Sequence, residues 1–224
     1  MLAIIVMPAQ AGEYSAGLAN YDISPSPNVD VLYTIMGQQK SFSRVEGPLF
    51  VQILALSEGH ERVAFVSLDL LFLHKQHHQA LQKLLLKQHD HVLITVTHTH
   101  SGYYNAKKWP SLKNKIVSAG SKARDAMVAV DIEVTQGHVD GAYNRIIHKD
   151  GKAEMLWTNP QRQLNREVDN SLGIIHFKKR DGTSLVTLVN YSAGPVITMD
   201  LNNINFSADY PGYLAKAMAA KLGG

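Results

Sequence analysis

Cysteine is absent from the 224 residues. That excludes a disulfide framework, a thiolate zinc site and thiol redox chemistry, and it leaves His, Asp and Glu as the metal donors. No apolar run approaches the length needed to span a bilayer as a helix. Nor is there a dense basic tract. The 22 Lys and Arg residues exceed the 19 Asp and Glu by three, but they are spread along the chain without interleaved aromatics, so nucleic acid is not the expected partner. Internal repeats and low-complexity linkers are also missing. What remains is a chain that is 45% hydrophobic and long enough to bury one substantial core.

The first residues, MLAIIVMPAQAGEYSAG, join a short apolar stretch to Ala9-Gln10-Ala11, which has the small-x-small form of a signal-peptidase site. No positive segment precedes it. Residues 1–11 are expected to be the remnant of an export signal, or else a first strand or a frayed apolar terminus, and residues 12–224 to form the domain. A protein exported to the periplasm or medium is the resulting expectation.

Short β-branched runs bounded by turn formers predict strands at VLYTIMG near Val31, LFVQILALS from Leu49, RVAFVSLDLLFL from Arg62 and HVLITVTH from His91. Three more follow at IEVTQGHV from Ile132, LGIIHFKK from Leu172 and SLVTLVNYSA from Ser184. Helical periodicity covers 75–90, where Leu81, Leu84 and Leu85 form a stripe, then 111–130 and the C-terminal YPGYLAKAMAAKL. The alternation predicts an α/β fold with a mixed sheet and flanking helices. KKRDGTS at 178–184 predicts a hairpin turn, because Asp-Gly tolerates positive φ.

The segment HVLITVTHTHSG, residues 91–102, ends an apolar run in two histidines, a serine and a glycine. In an extended chain His98 and His100 point the same way, separated by roughly 6–7 Å of backbone. That suits two ligands of one ion, or one ligand and one acid–base group, at the carboxyl end of a strand, where α/β folds place their functional groups. The alternative is a solvated pair that caps the strand.

The same segment, following VAFVSLDLLFL, resembles the neutral/alkaline non-lysosomal ceramidases. AGLANYDISPSP at 16–27, AYNR at 142–145, LVNYSAGP at 188–195 and SADYPGY at 207–213 match in the same order. The resemblance runs from Ala16 to Leu222 and is to the amino-terminal part of the catalytic domain. It implies a zinc-dependent hydrolase of N-acyl amide bonds, best known for cleaving ceramide to sphingosine and a fatty acid. It further implies that His98 binds the zinc ion, that His100 lies beside the metal-bound water or substrate oxygen, and that Arg145 stabilises oxyanion charge. The implied substrate is a small lipid or another N-acyl amine.

Departures from the pattern accompany the matches. Gly194 stands in Asn190-Tyr191-Ser192-Ala193-Gly194-Pro195 where the family has its second zinc-binding His. Tyr103-Tyr104 replace Pro or small residues after the histidine motif, and the segment after Met36-Gly37 differs as well. The family also draws a Glu and a Tyr ligand from a downstream half, so a carboxy-terminal half or a partner subunit is expected to complete the site. A non-catalytic relative that binds lipid or another small molecule is the alternative.

His176, His138, His148, Asp200 and Asp209 are the remaining donors that could replace a ligand. His176 also reads as an ordinary strand histidine, and Asp209 as the N-cap of the last helix, with Pro211 in its first turn. Asp69, at the end of an apolar strand, is either a partner for a His or a structural acceptor. His74, His77, His78, His89 and His91 scatter around a polar helix and read as a solvated surface.

Overall fold

The computed structural model describes residues 13–25, 31–33, 39–41, 44–102, 108–156, 168–199 and 205–223. The export-signal expectation for residues 1–11, Tyr103-Tyr104 and Asp200 lie outside the described residues. The chain begins with β1 (Tyr14–Asp22), the short β2 (Val31–Tyr33), β3 (Gln39–Ser41) and β4 (Arg44–Val45), then β5 (Phe50–Glu58) and β6 (Glu61–Leu68). There follow α1 (Lys75–Leu85), β7 (His91–Val96), α2 (Trp109–Asp125) and β8 (Val128–His138). β9 (Ile146–Lys149), β10 (Lys152–Met155), β11 (Ser171–Lys179), β12 (Ser184–Tyr191), β13 (Asn205–Phe206) and α3 (Asp209–Leu222) complete it.

Seven strands form one sheet in the order β12-β11-β8-β1-β5-β6-β7. All neighbours are antiparallel except β6 and β7, which run parallel and are joined through α1. A parallel pair needs such a crossover, and its direction sends both strands' carboxyl ends to the same edge. The fold is therefore α/β with a mixed sheet and flanking helices. No helix among the described residues is long and apolar enough to cross a membrane.

Alternation decides which face is covered. Val51, Ile53 and Ala55 of β5 and Ala64, Val66 and Leu68 of β6 turn toward Leu81 and Leu85 of α1 and Ile116, Ala119 and Ala123 of α2. Gly17 lets β1 meet α2 closely: a Cβ there would stand 2.1 Å from the Ala123 carbonyl oxygen. On the other face, Leu54, Ala16, Val130 and Phe177 form a second cluster with Phe65, Ile132 and Leu188. Only two residue pairs join β1 to β8. At that seam the sheet curls, so that β12 returns into contact with β1 over the second cluster.

The expected hairpin is present. β11 and β12 pair antiparallel, with Gly182 at φ 84° in the connecting turn. β1 and the β9–β10 hairpin are strands that periodicity did not single out. β1 reads YSAGLANYD, with small and polar residues where an apolar run is sought, and β10, KAEM, is four residues long and wholly exposed, too short for its alternation to stand out.

Candidate functional site

The site forms where β6 and β7 end side by side. β7 stops at Val96, two residues short of the expected strand, because Asp69 redirects the chain. The carboxylate accepts the Phe50 N–H at 2.9 Å through Oδ2 and the Thr97 hydroxyl at 3.1 Å through Oδ1. It is therefore a structural acceptor, tying β5, the end of β6 and the exit of β7 together. Burial pushes its pKa up to about 6, against the lowering by those two hydrogen bonds.

Beyond Thr97 the backbone enters the left-handed region at His98, φ 60°. A side chain at that φ is strained by about 1 kcal/mol, and three hydrogen bonds hold it there. Thr97 N–H donates to Leu68 O, His98 N–H to Leu70 O, and the His98 ring places Nδ1 2.6 Å from Leu71 O. The imidazoles of His98 and His100 thus meet through a turn rather than through strand alternation. Their centroids are 5.1 Å apart and their planes nearly perpendicular at 87°.

The rest of the motif is structural. Thr99 is buried and donates to Ser207 O at 2.7 Å, while Ser207 N–H donates to Ser101 O. Gly102 has no room for a side chain, since a Cβ would lie 2.8 Å from Thr99 Cγ2. The Thr, Ser and Gly of THTHSG thereby fix a tight turn against residues 205–208. That segment is held in its turn by the β4–β13 pairing.

His100 is fastened from the opposite side. Its N–H donates to Pro195 O at 3.1 Å, and its Nδ1 lies 3.3 Å from the sulfur of Met199. The 195–199 loop is anchored by Asp209, whose Oδ2 accepts both the N–H and the hydroxyl of Thr198 at 2.7 Å. Thr198 and Ser101 share a further hydroxyl contact at 3.0 Å. Asp209 is 1% exposed and has φ 55°. Its Oδ1 accepts the adjacent Tyr210 N–H, but Ala208 occupies the N-cap position and no side chain caps the helix. The expected N-cap is instead a buried clamp on the loop beside His100.

Burial holds His100 below the usual imidazole range, reinforced by His98 and Arg145 and opposed by Asp209. A neutral imidazole follows at neutral pH. Arg145, just before β9, is near enough to His100 to bear on its charge, while the His98 and His100 rings are in direct contact.

The other donors do not join them. His176 lies on β11, its Nε2 3.0 Å from Ser184 Oγ and its Nδ1 3.7 Å from Glu133. His138 bonds Asn170 at the exposed end of β8, and His148 is exposed on β9. His89 is buried between α1 and α2, near Gly120, rather than solvated as expected, and burial lowers its pKa. His77 stacks on Trp109 with centroids 4.0 Å apart.

As for zinc, His98 presents the arrangement common among metal-binding histidines: Nδ1 donates to a backbone carbonyl, and Nε2 carries the lone pair. Among the described residues, however, no three His, Asp or Glu side chains come together as a metal group. Gly194 offers nothing, and a Cβ there would meet no atom within 4 Å. A zinc centre ordinarily takes three or more protein ligands. The described residues fit one ligand and a neighbouring imidazole.

A mixed α/β domain with paired imidazoles where two parallel strands end defines the class, and its fold is that of the neutral ceramidases. The structure of neutral ceramidase from Pseudomonas aeruginosa superposes with a TM-score of 0.73 at 16% identity, over 95% of this chain and 37% of that one. A second structure, described as ceramidase complexed with C2, gives a TM-score of 0.73 at 17% identity, over 95% and 36%. The chain thus spans little more than a third of the length of these neighbours. No family profile and no curated protein matches the sequence.

Proposed function

We propose that the chain is a ceramidase-like hydrolase domain acting on N-acyl amide bonds, with His98, His100 and Arg145 at the reacting end of its site. The observation that supports this reading most is the His98–His100 pair: two perpendicular rings in contact, one tied through Nδ1 to Leu71 O, on a ceramidase fold. In this reading His98 is a zinc ligand, and the other ligands come from outside the described residues. Zinc held there would supply polarisation of the acyl carbonyl and a water that ionises near neutral pH. Arg145 faces the oxygen that gains charge as the carbonyl becomes tetrahedral, where a fixed cation contributes most. His100, kept neutral chiefly by burial, with His98 and Arg145 beside it, accepts a proton from water and returns it to the leaving amine. The substrate is ceramide or another N-acyl amine, and export of the protein would place it where such lipids are exposed.

Gly194 favours a second reading, in which the same cleft binds an N-acyl lipid without cleaving it. Incubation with a short-chain fluorescent N-acylsphingosine separates the two. Hydrolysis is expected to be lost in His98→Ala and to fall by about 10²–10³-fold in kcat in Arg145→Ala. Saturable binding with no amine released by the unaltered protein overturns the hydrolase reading in favour of the second.

A further inference from the structure

The charges of this chain are unevenly placed in space. From Lys75 to Lys87 and from Lys108 to Asp125, the stretches that form α1 and α2 with their flanks carry eight Lys and Arg residues and a single carboxylate, Asp125. The other described residues carry eleven basic and fifteen acidic side chains, so the helical layer is strongly positive and the rest of the described fold is negative. Arg124 already engages Asp125, at 2.8 Å. Asp90, just past α1, is held by Arg62.

The two helices lie side by side on one face of the sheet. Leu81 and Leu85 fix the inner face of α1, which turns Lys75, Gln79, Lys83 and Lys87 outward at near-fourfold spacing, all exposed. Lys122 of α2 is also exposed, its Nζ 5.6 Å from the centroid of the Tyr21 ring. Apolar side chains stand among these cations: Phe72, 40% exposed just before α1, and Leu86, 47% exposed just after it. Phe72 is the neighbour of Leu71, whose carbonyl holds His98, so the site-proximal end of this face carries an aromatic ring.

We infer that the α1–α2 face is an adsorption surface for an anionic phospholipid bilayer. Lysines on an exposed helix face collect at a negative membrane surface, and apolar residues between them enter the headgroup boundary. The choice of lipid over other polyanions rests on Phe72 and Leu86 and on the lipid-amide reading above. Adsorption through this face sets the His98 end against the surface from which a lipid substrate is drawn.

The test uses the full chain with vesicles of phosphatidylcholine alone, and of phosphatidylcholine mixed equally with phosphatidylglycerol, read by co-sedimentation. Binding to the mixed vesicles only, weakened by added salt, is expected. The triple variant Lys75→Glu, Lys83→Glu, Lys87→Glu should lower that partition by on the order of 100-fold or more. Lys152→Glu, Lys216→Glu, Lys221→Glu, which change net charge equally at exposed positions elsewhere, should largely retain it. All six substitutions are at the surface, and circular dichroism confirms the fold before binding is read. Equal loss in both triple variants, equal binding to both vesicle types, or tighter binding to a short RNA duplex than to anionic vesicles overturns the proposal. His98→Ala should bind vesicles like the unaltered protein, so failure of the hydrolase reading and failure of this one are separable.

Discussion

The Nδ1 atom of His98 lies 2.6 Å from the carbonyl oxygen of Leu71, the third residue beyond β6. This contact ties the orientation of an exposed imidazole to the ends of two parallel strands. It also fixes the tautomer, leaving the lone pair on Nε2, the atom a metal or substrate would meet.

Asp209 is the clamp on the opposite wall, and its removal should be felt in stability and in the site alike. Asp209→Ala strips two short hydrogen bonds from Thr198 and leaves a side chain in the left-handed region. A loss of about 3 kcal/mol in urea unfolding is expected. Asp209→Asn, which keeps one acceptor oxygen, should lose less than half of that.

Gly17→Ala should be comparably damaging for a different reason. Its Cβ would stand 2.1 Å from Ala123 O and 2.8 Å from Met127 N, both backbone atoms that cannot swing aside. Forcing β1 and α2 apart is expected to destabilise by about 3 kcal/mol, measured by urea unfolding.

Two buried groups give stability a pH dependence of opposite sign. The Asp69 pKa is raised to about 6 from its ordinary 3.8. Between those values the folded chain holds a proton that the unfolded chain has released, so its contribution turns unfavourable as pH rises and levels off above pH 6. The full effect is about 3 kcal/mol. Asp69→Asn, which can still accept from Phe50 and donate to Thr97, should flatten this window in unfolding curves taken from pH 4 to 7.

His89 acts the other way. It is 2% exposed, neither ring nitrogen meets hydrogen-bond geometry, and burial, Arg124 and Arg62 lower its pKa despite the Gly120 backbone and Asp90. The neutral ring is favoured in the fold, so stability is present above the ordinary histidine range and lost as pH falls through the depressed value. His89→Leu should reduce the acid-side loss, as read from melting temperature against pH.

Much of this was legible in the sequence, and the gaps have physical causes. The apolar runs of β5, β6, β11 and β12 announced themselves because burial on one or both faces demands β-branched and aliphatic side chains. β1 was hidden because its contact with α2 requires glycine and alanine, which carry no strand signature. The His98–His100 pairing was anticipated, but its cause was not: alternation along a strand predicts it, whereas the structure achieves it through a left-handed residue held by three hydrogen bonds. Asp209 looked like a helix cap because capping chemistry is local. Its actual partner, Thr198, is eleven residues earlier, and only tertiary folding brings the two together.

Zinc stoichiometry of the purified, tag-free protein and of His98→Ala, by elemental analysis, decides whether His98 holds a metal. About one zinc per chain is expected in the unaltered protein and none in the variant. Absence of zinc from both, or its retention in the variant, would contradict the role given to His98.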